Sequence, residues 1–177
     1  LGPMGPTAGF FNDGAEAAKE SAMWKAGVGK AIITPEGPAW LAGYGSARPG
    51  EGKRHDLWVK ALALEDARGR RAVLVTSDLV GFSKAQYERL CAQIRKRFGL
   101  ARDQVMLTST HNHCAPVTTD CLPDYYPLDA DAWAKVEEYT RWLEPRIVQV
   151  VGDALSCLAP ATLSAGEGTC TFAVNRR

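Results

Sequence analysis

A chain of 177 residues, 46% of them hydrophobic, is long enough for one domain with a proper core, burying about 70% of its unfolded surface. Lys and Arg number 21 against 20 Asp and Glu, so neither net charge nor any basic block points to nucleic acid. The longest apolar runs fall far short of the roughly 20 residues that cross a bilayer, so no transmembrane segment is expected.

Residues 1–23 read as a disordered leader. The opening is rich in Gly and Pro, and one short helix is expected over Ala15–Ala22. It lacks the charged start and long apolar stretch of an intact signal peptide. Leu1 in place of Met, and the abrupt end at Asn175-Arg176-Arg177, read as a piece of a longer protein. Trp24–Ile33 alternates in its second half and predicts a strand, ended by Thr34-Pro35. Gly37–Gly52 holds five Gly and two Pro and reads as a long loop, of the kind that is often functional.

Leu57–Glu65 and Arg71–Asp78 predict two strands joined by the turn Asp66-Ala67-Arg68-Gly69-Arg70, a β-hairpin. The run Ala72-Val73-Leu74-Val75 suggests burial on both faces. Ser83 with Gln86 has the capping-box pattern of a helix start. Tyr87, Leu90, Cys91, Ile94 and Phe98 form its apolar stripe, and Gly99 sits where a left-handed cap belongs. The strand Gln104–Ser109 follows, completing a right-handed crossover between parallel strands. A polar loop over Pro116–Pro127 leads to a long helical pattern from Asp131 to Leu158. Pro145 inside it predicts a kink or two abutting helices. Thr162–Gly166 and Thr169–Val174 read as further strands. The fold class is α/β: a mixed sheet with a β-hairpin and a right-handed βαβ crossover, helices packed on the sheet.

Thr108-Ser109-Thr110-His111-Asn112-His113 carries the chemistry. On an extended strand, side chains two apart point the same way, so His111 and His113 are expected to project together from the strand's carboxyl end. Two imidazoles on one face are a start for a metal site; the plainer alternative is a strand end with no ligand. Asp78 ends the neighbouring strand at the same edge, where ligands of open α/β sheets bind. It could ligate a metal, orient a ligating histidine, or simply cap a turn near Ser83. His55 would complete three histidines for metal-assisted hydrolysis, or pair with Asp56 at the surface. Five cysteines, Cys91, Cys114, Cys121, Cys157 and Cys170, contain no C-x-x-C pair and read as buried or free thiols, although Cys114 and Cys121 could close in an oxidising compartment. Alternation turns Cys114 away from the histidine pair. No P-loop, dinucleotide fingerprint or nucleophile elbow is present.

Six segments stand in one order: Ala26–Pro35, Leu41-Ala42-Gly43-Tyr44-Gly45, His55–Leu62, Val75–Gly81, Ser109–His113 and Phe172–Arg177. From about Lys25 onward this series resembles the amino-terminal part of the neutral/alkaline, non-lysosomal ceramidase family. Residues 24–177 are therefore expected to be that portion of an α/β catalytic domain. The family's T-H-T-H-S-G-P motif is here Thr110-His111-Asn112-His113-Cys114-Ala115-Pro116, departing at Asn112, Cys114 and Ala115.

The resemblance implies a zinc-dependent amidohydrolase that cleaves an N-acyl sphingoid base, ceramide, into a sphingoid base and a fatty acid. It implies His111 as a zinc ligand and His113 as an assisting group beside the metal, with Asp78 on the same edge. Substrate contacts carry over to Gly43, Tyr44, His55 and Arg176. The remaining ligands (a second histidine, a glutamate and a tyrosine) and the serine nucleophile are expected beyond Arg177. A secreted or periplasmic location is expected by the same route. Two other readings keep the fold: a metal-dependent hydrolase of another amide or ester, and a non-catalytic binding domain.

Overall fold

The computed structural model describes residues 24–46 and 48–175. Five strands form one sheet: β1 (Trp24–Ile32), β2 (Trp58–Glu65), β3 (Arg71–Ser77), β4 (Val105–Ser109) and β5 (Ala159–Ala161). Among the described residues two helices, α1 (Lys84–Phe98) and α2 (Ala130–Ser156), accompany the sheet, with single 3-10 turns at Arg102–Gln104 and Pro123–Tyr125. The sheet order is β4-β3-β2-β1-β5. The β3–β4 pair is parallel, and the other three are antiparallel. The expected leader and its helix lie outside the described residues.

The β2–β3 hairpin is held at its turn by Asp66. Its carboxylate accepts from the amides of Arg68 and Arg70 and pairs with the Arg70 side chain at 2.7 Å. Gly69, at φ 74°, takes the left-handed position the turn requires. At the start of α1 the Ser83 hydroxyl accepts from the Gln86 amide at 3.0 Å. Only that half of the expected capping box forms, because the Gln86 side chain is fully buried facing Thr118. Gly99 closes the helix at φ 71°, its amide donating to Arg95.

The expectation that β3 is buried on both faces is overturned. Val73, Val75 and Ser77 are buried, whereas Ala72, Leu74 and Thr76 are exposed. The reason is architectural: the core cluster gathers the buried side chains of both helices with those of one side of the sheet. The opposite side stays open. Val28, Leu62, Leu74 and Met106 stand in register there across four strands, with Val28 69% and Met106 60% exposed.

The close fit of α2 on β1 depends on two missing side chains. A Cβ on Gly27 would come within 2.1 Å of the Ala154 carbonyl oxygen, and one on Gly29 within 2.4 Å of that of Val150. α2 runs through Pro145 as one helix rather than two. The proline leaves the Arg141 carbonyl without its usual donor, but Arg141 and Pro145 are both exposed, on the side of the helix open to solvent. The two strands expected after residue 161 are absent. β1's outer edge pairs with Ala159–Ala161 alone, and residues 162–175 run exposed without regular structure. No helix among the described residues is long and apolar enough to cross a membrane.

Candidate active site

The parallel strands β3 and β4 end side by side, and their backbones stay paired beyond the sheet. The Thr110 amide donates to Ser77 O and the Asn112 amide to Leu79 O. His111 is therefore no longer in a strand. It sits at φ 58° in the left-handed region. The two imidazoles do meet, with ring centroids 4.7 Å apart and planes at 71°, but a turn brings them together rather than strand alternation.

His111 Nδ1 lies 2.8 Å from the Val80 carbonyl oxygen. A carbonyl only accepts, so Nδ1 carries the proton and donates. Nε2 is left with its lone pair, the arrangement a metal-binding imidazole uses.

His113 is half-buried and wedged by the glycine-rich loop. A Cβ on Gly43 would lie 2.3 Å from His113 Cγ and 2.5 Å from Nδ1, so only glycine, here at φ 99°, lets the backbone pass so close. The Tyr44 ring meets the His113 ring edge-on at 4.9 Å. Arg48 donates from Nη2 to the His113 carbonyl, and its guanidinium lies 4.7 Å from the centre of the Tyr44 ring.

The loop is seated on the histidine segment by backbone bonds, Ala42 N–H to Ala115 O and Val117 N–H to Trp40 O, each 2.8 Å. Beneath it lies a second apolar cluster of Ala42, Val117, Tyr126 and Val136. The Tyr126 hydroxyl accepts from the Gly43 amide at 3.0 Å.

Asp78 and His55 make their hydrogen bonds elsewhere. Asp78 Oδ2 accepts from the Trp58 amide at 2.9 Å, and the Asp78 amide donates to Trp58 O, so it caps the start of β2. Ser83, not Asp78, caps the helix. His55 is exposed with Nδ1 3.2 Å from Asp56 O. It lines an open cleft of about 1050 Å³ that reaches the histidine segment at Asn112, Cys114 and Pro116. Among the described residues, no three His, Cys, Asp or Glu side chains gather to hold an ion, so the three-histidine site does not form. Arg176 lies outside the described residues.

All five cysteines are free. Burial pushes the Cys91 and Cys121 thiols above their usual range, while Cys114 is exposed on the loop. Arg48, Tyr126 and Val80 were not singled out in the sequence. Val80 could not have been, since it acts through its main chain; Arg48 and Tyr126 lie in the two loops already marked as irregular.

The family described as neutral/alkaline non-lysosomal ceramidase, N-terminal, matches residues 24–177, and the chain belongs to it. It is 33% identical over 98 residues to the neutral ceramidase of Pseudomonas aeruginosa, and 30% identical over 100 residues to that of Drosophila melanogaster. These alignments cover 52% and 54% of this chain but only 15% and 14% of the relatives. The crystal structure of the Pseudomonas aeruginosa enzyme superposes with a TM-score of 0.66 at 26% identity, over 78% of this chain and 22% of that one. A ceramidase complexed with C2 gives 0.65 at 26% identity, with the same coverage. The chain thus spans about one seventh of the length of these curated relatives.

Proposed function

We propose that this chain supplies the amino-terminal edge of a catalytic site that hydrolyses the amide of an N-acyl sphingoid base. The observation that supports it most is the His111–His113 pair in a chain of this family, with His111 Nδ1 committed to Val80 O.

The donor set fits zinc in part. His111 offers Nε2 as one neutral imidazole ligand, and further ligands would come from outside the described residues. Zinc, when bound, supplies Lewis-acid polarisation and lowers the pKa of bound water to about 7. His113 holds and moves a proton at Nε2, the ring nitrogen farther from Gly43. Gly43 and Tyr44 fix the ring while flanking the substrate. Asp78 anchors the end of β3 through Trp58, and Leu79-Val80 leads from there to the carbonyl that orients His111. The cleft beside His55 receives part of the lipid-like amide, and Arg176 adds a substrate contact. An exported location, outside the cytoplasm, belongs to the same proposal.

The test uses the full-length protein. His111→Ala should lose bound zinc by elemental analysis and lose fatty-acid release from an N-acyl sphingoid base. Full zinc content in that variant would refute His111 as a ligand. Release from other amides or esters, with none from the sphingoid amide, would reassign the substrate.

A further inference from the structure

We propose that Arg48 is a positioning residue that holds His113 in working orientation. This rests on the reading that His113 acts in the reaction. Arg48 makes two contacts that converge on one imidazole. Its Nη2 donates to the His113 carbonyl, fixing the backbone, and its guanidinium carbon lies 4.7 Å from the centre of the Tyr44 ring, which meets the His113 ring edge-to-face at 4.9 Å. Backbone and ring are thus held by the same side chain. Arg48 itself is fixed, because Leu41 N–H donates to Arg48 O at 2.8 Å, Gly50 N–H to Ala39 O at 2.7 Å, and Trp40 bridges Pro49.

One detail sets Arg48 apart from a surface cation. Its Nε is buried and, among the described residues, has no hydrogen-bond partner. A buried unpaired donor is costly. The guanidinium serves the Tyr44 ring and the His113 carbonyl at once, and in that placement Nε finds no partner. Lysine keeps the charge but has neither the plane nor the fork, so the geometry asks for arginine specifically.

The experiment compares Arg48→Ala and Arg48→Lys with wild type in the full-length enzyme. The first readout is acylation of individual histidines by diethyl pyrocarbonate, resolved by mass spectrometry. His113 should react several-fold faster in Arg48→Ala, while exposed His55 keeps its rate. The second is kinetic: kcat should fall about ten- to a hundredfold with KM and zinc content little changed, the cost of a misplaced group. Arg48→Lys should fall between wild type and alanine on both. Unchanged His113 acylation in both variants would overturn the proposal. If Arg48→Ala unfolds, buried histidines throughout the enzyme speed up together and Arg48→Lys decides. A His113→Asn enzyme with full kcat would sink the functional reading of His113 instead, leaving the acylation result to judge Arg48 alone.

Discussion

Gly43 is the residue on which the histidine site is most sensitive to a single atom. A methyl group there meets His113 at 2.3 Å and also strains a φ of 99°. Gly43→Ala should therefore cost about 1–3 kcal/mol and displace His113, lowering kcat; thermal melts and steady-state kinetics check the two effects. Gly45→Ala, where the nearest atoms to a Cβ are those of the Tyr125 ring at 3.0 Å, should cost less. The nearness of His111 and His113 was legible in the sequence, since three histidines and an H-x-H leave little choice. How they converge was not, because alternation assumes a strand that ends before His111. The glycine of the G-Y-G segment was visible as a loop signal, but its contact with a residue 70 positions away is tertiary and carries no local mark.

At the scale of elements, the β3–α1–β4 unit was read almost to the residue because its punctuation is chemical. Ser83 and Gly99 do what side chains of those types do at helix ends, and the structure keeps both. The tail after β5 reads as strand from its composition, but among the described residues it pairs with no neighbouring strand. Pro145 does not split α2 in two: a helix tolerates proline where the orphaned carbonyl faces water. Two tests belong here. Gly27→Val should push α2 off β1, an overpacking cost of about 1–3 kcal/mol or more, measurable by urea unfolding. The hairpin turn should be acid-sensitive. Hydrogen bonds from the Arg70 backbone first, then its side chain and the Arg68 amide, hold the Asp66 carboxyl below 3.8. Its folded value is depressed, so its contribution is present above pH 3.8 and lost as pH falls through the folded value. Melting curves across that range should show a loss in wild type that Asp66→Ala lacks.

For the whole molecule, the one-sided burial of the sheet matters most. The row Val28, Leu62, Leu74 and Met106, with Lys30 stacked on Trp58 at 5.3 Å beside it, is a continuous apolar plane, which free soluble surfaces rarely carry. Val28→Thr with Met106→Thr should reduce binding of a hydrophobic dye such as anilinonaphthalene sulfonate. Stability should change little, about 0.5 kcal/mol or less, since neither side chain is buried. Unchanged dye fluorescence would mean the plane is already covered in solution.

The clasp around His113 also has a temporal meaning. Arg48 reaches it across 65 positions of sequence, and the Tyr126 hydroxyl reaches Gly43 across 83. Contacts that distant form late, after chain closure has been compensated by the core. The seating of the glycine-rich loop on His113 therefore registers the completion of folding, and hydrogen exchange at the Gly43 amide would time that moment.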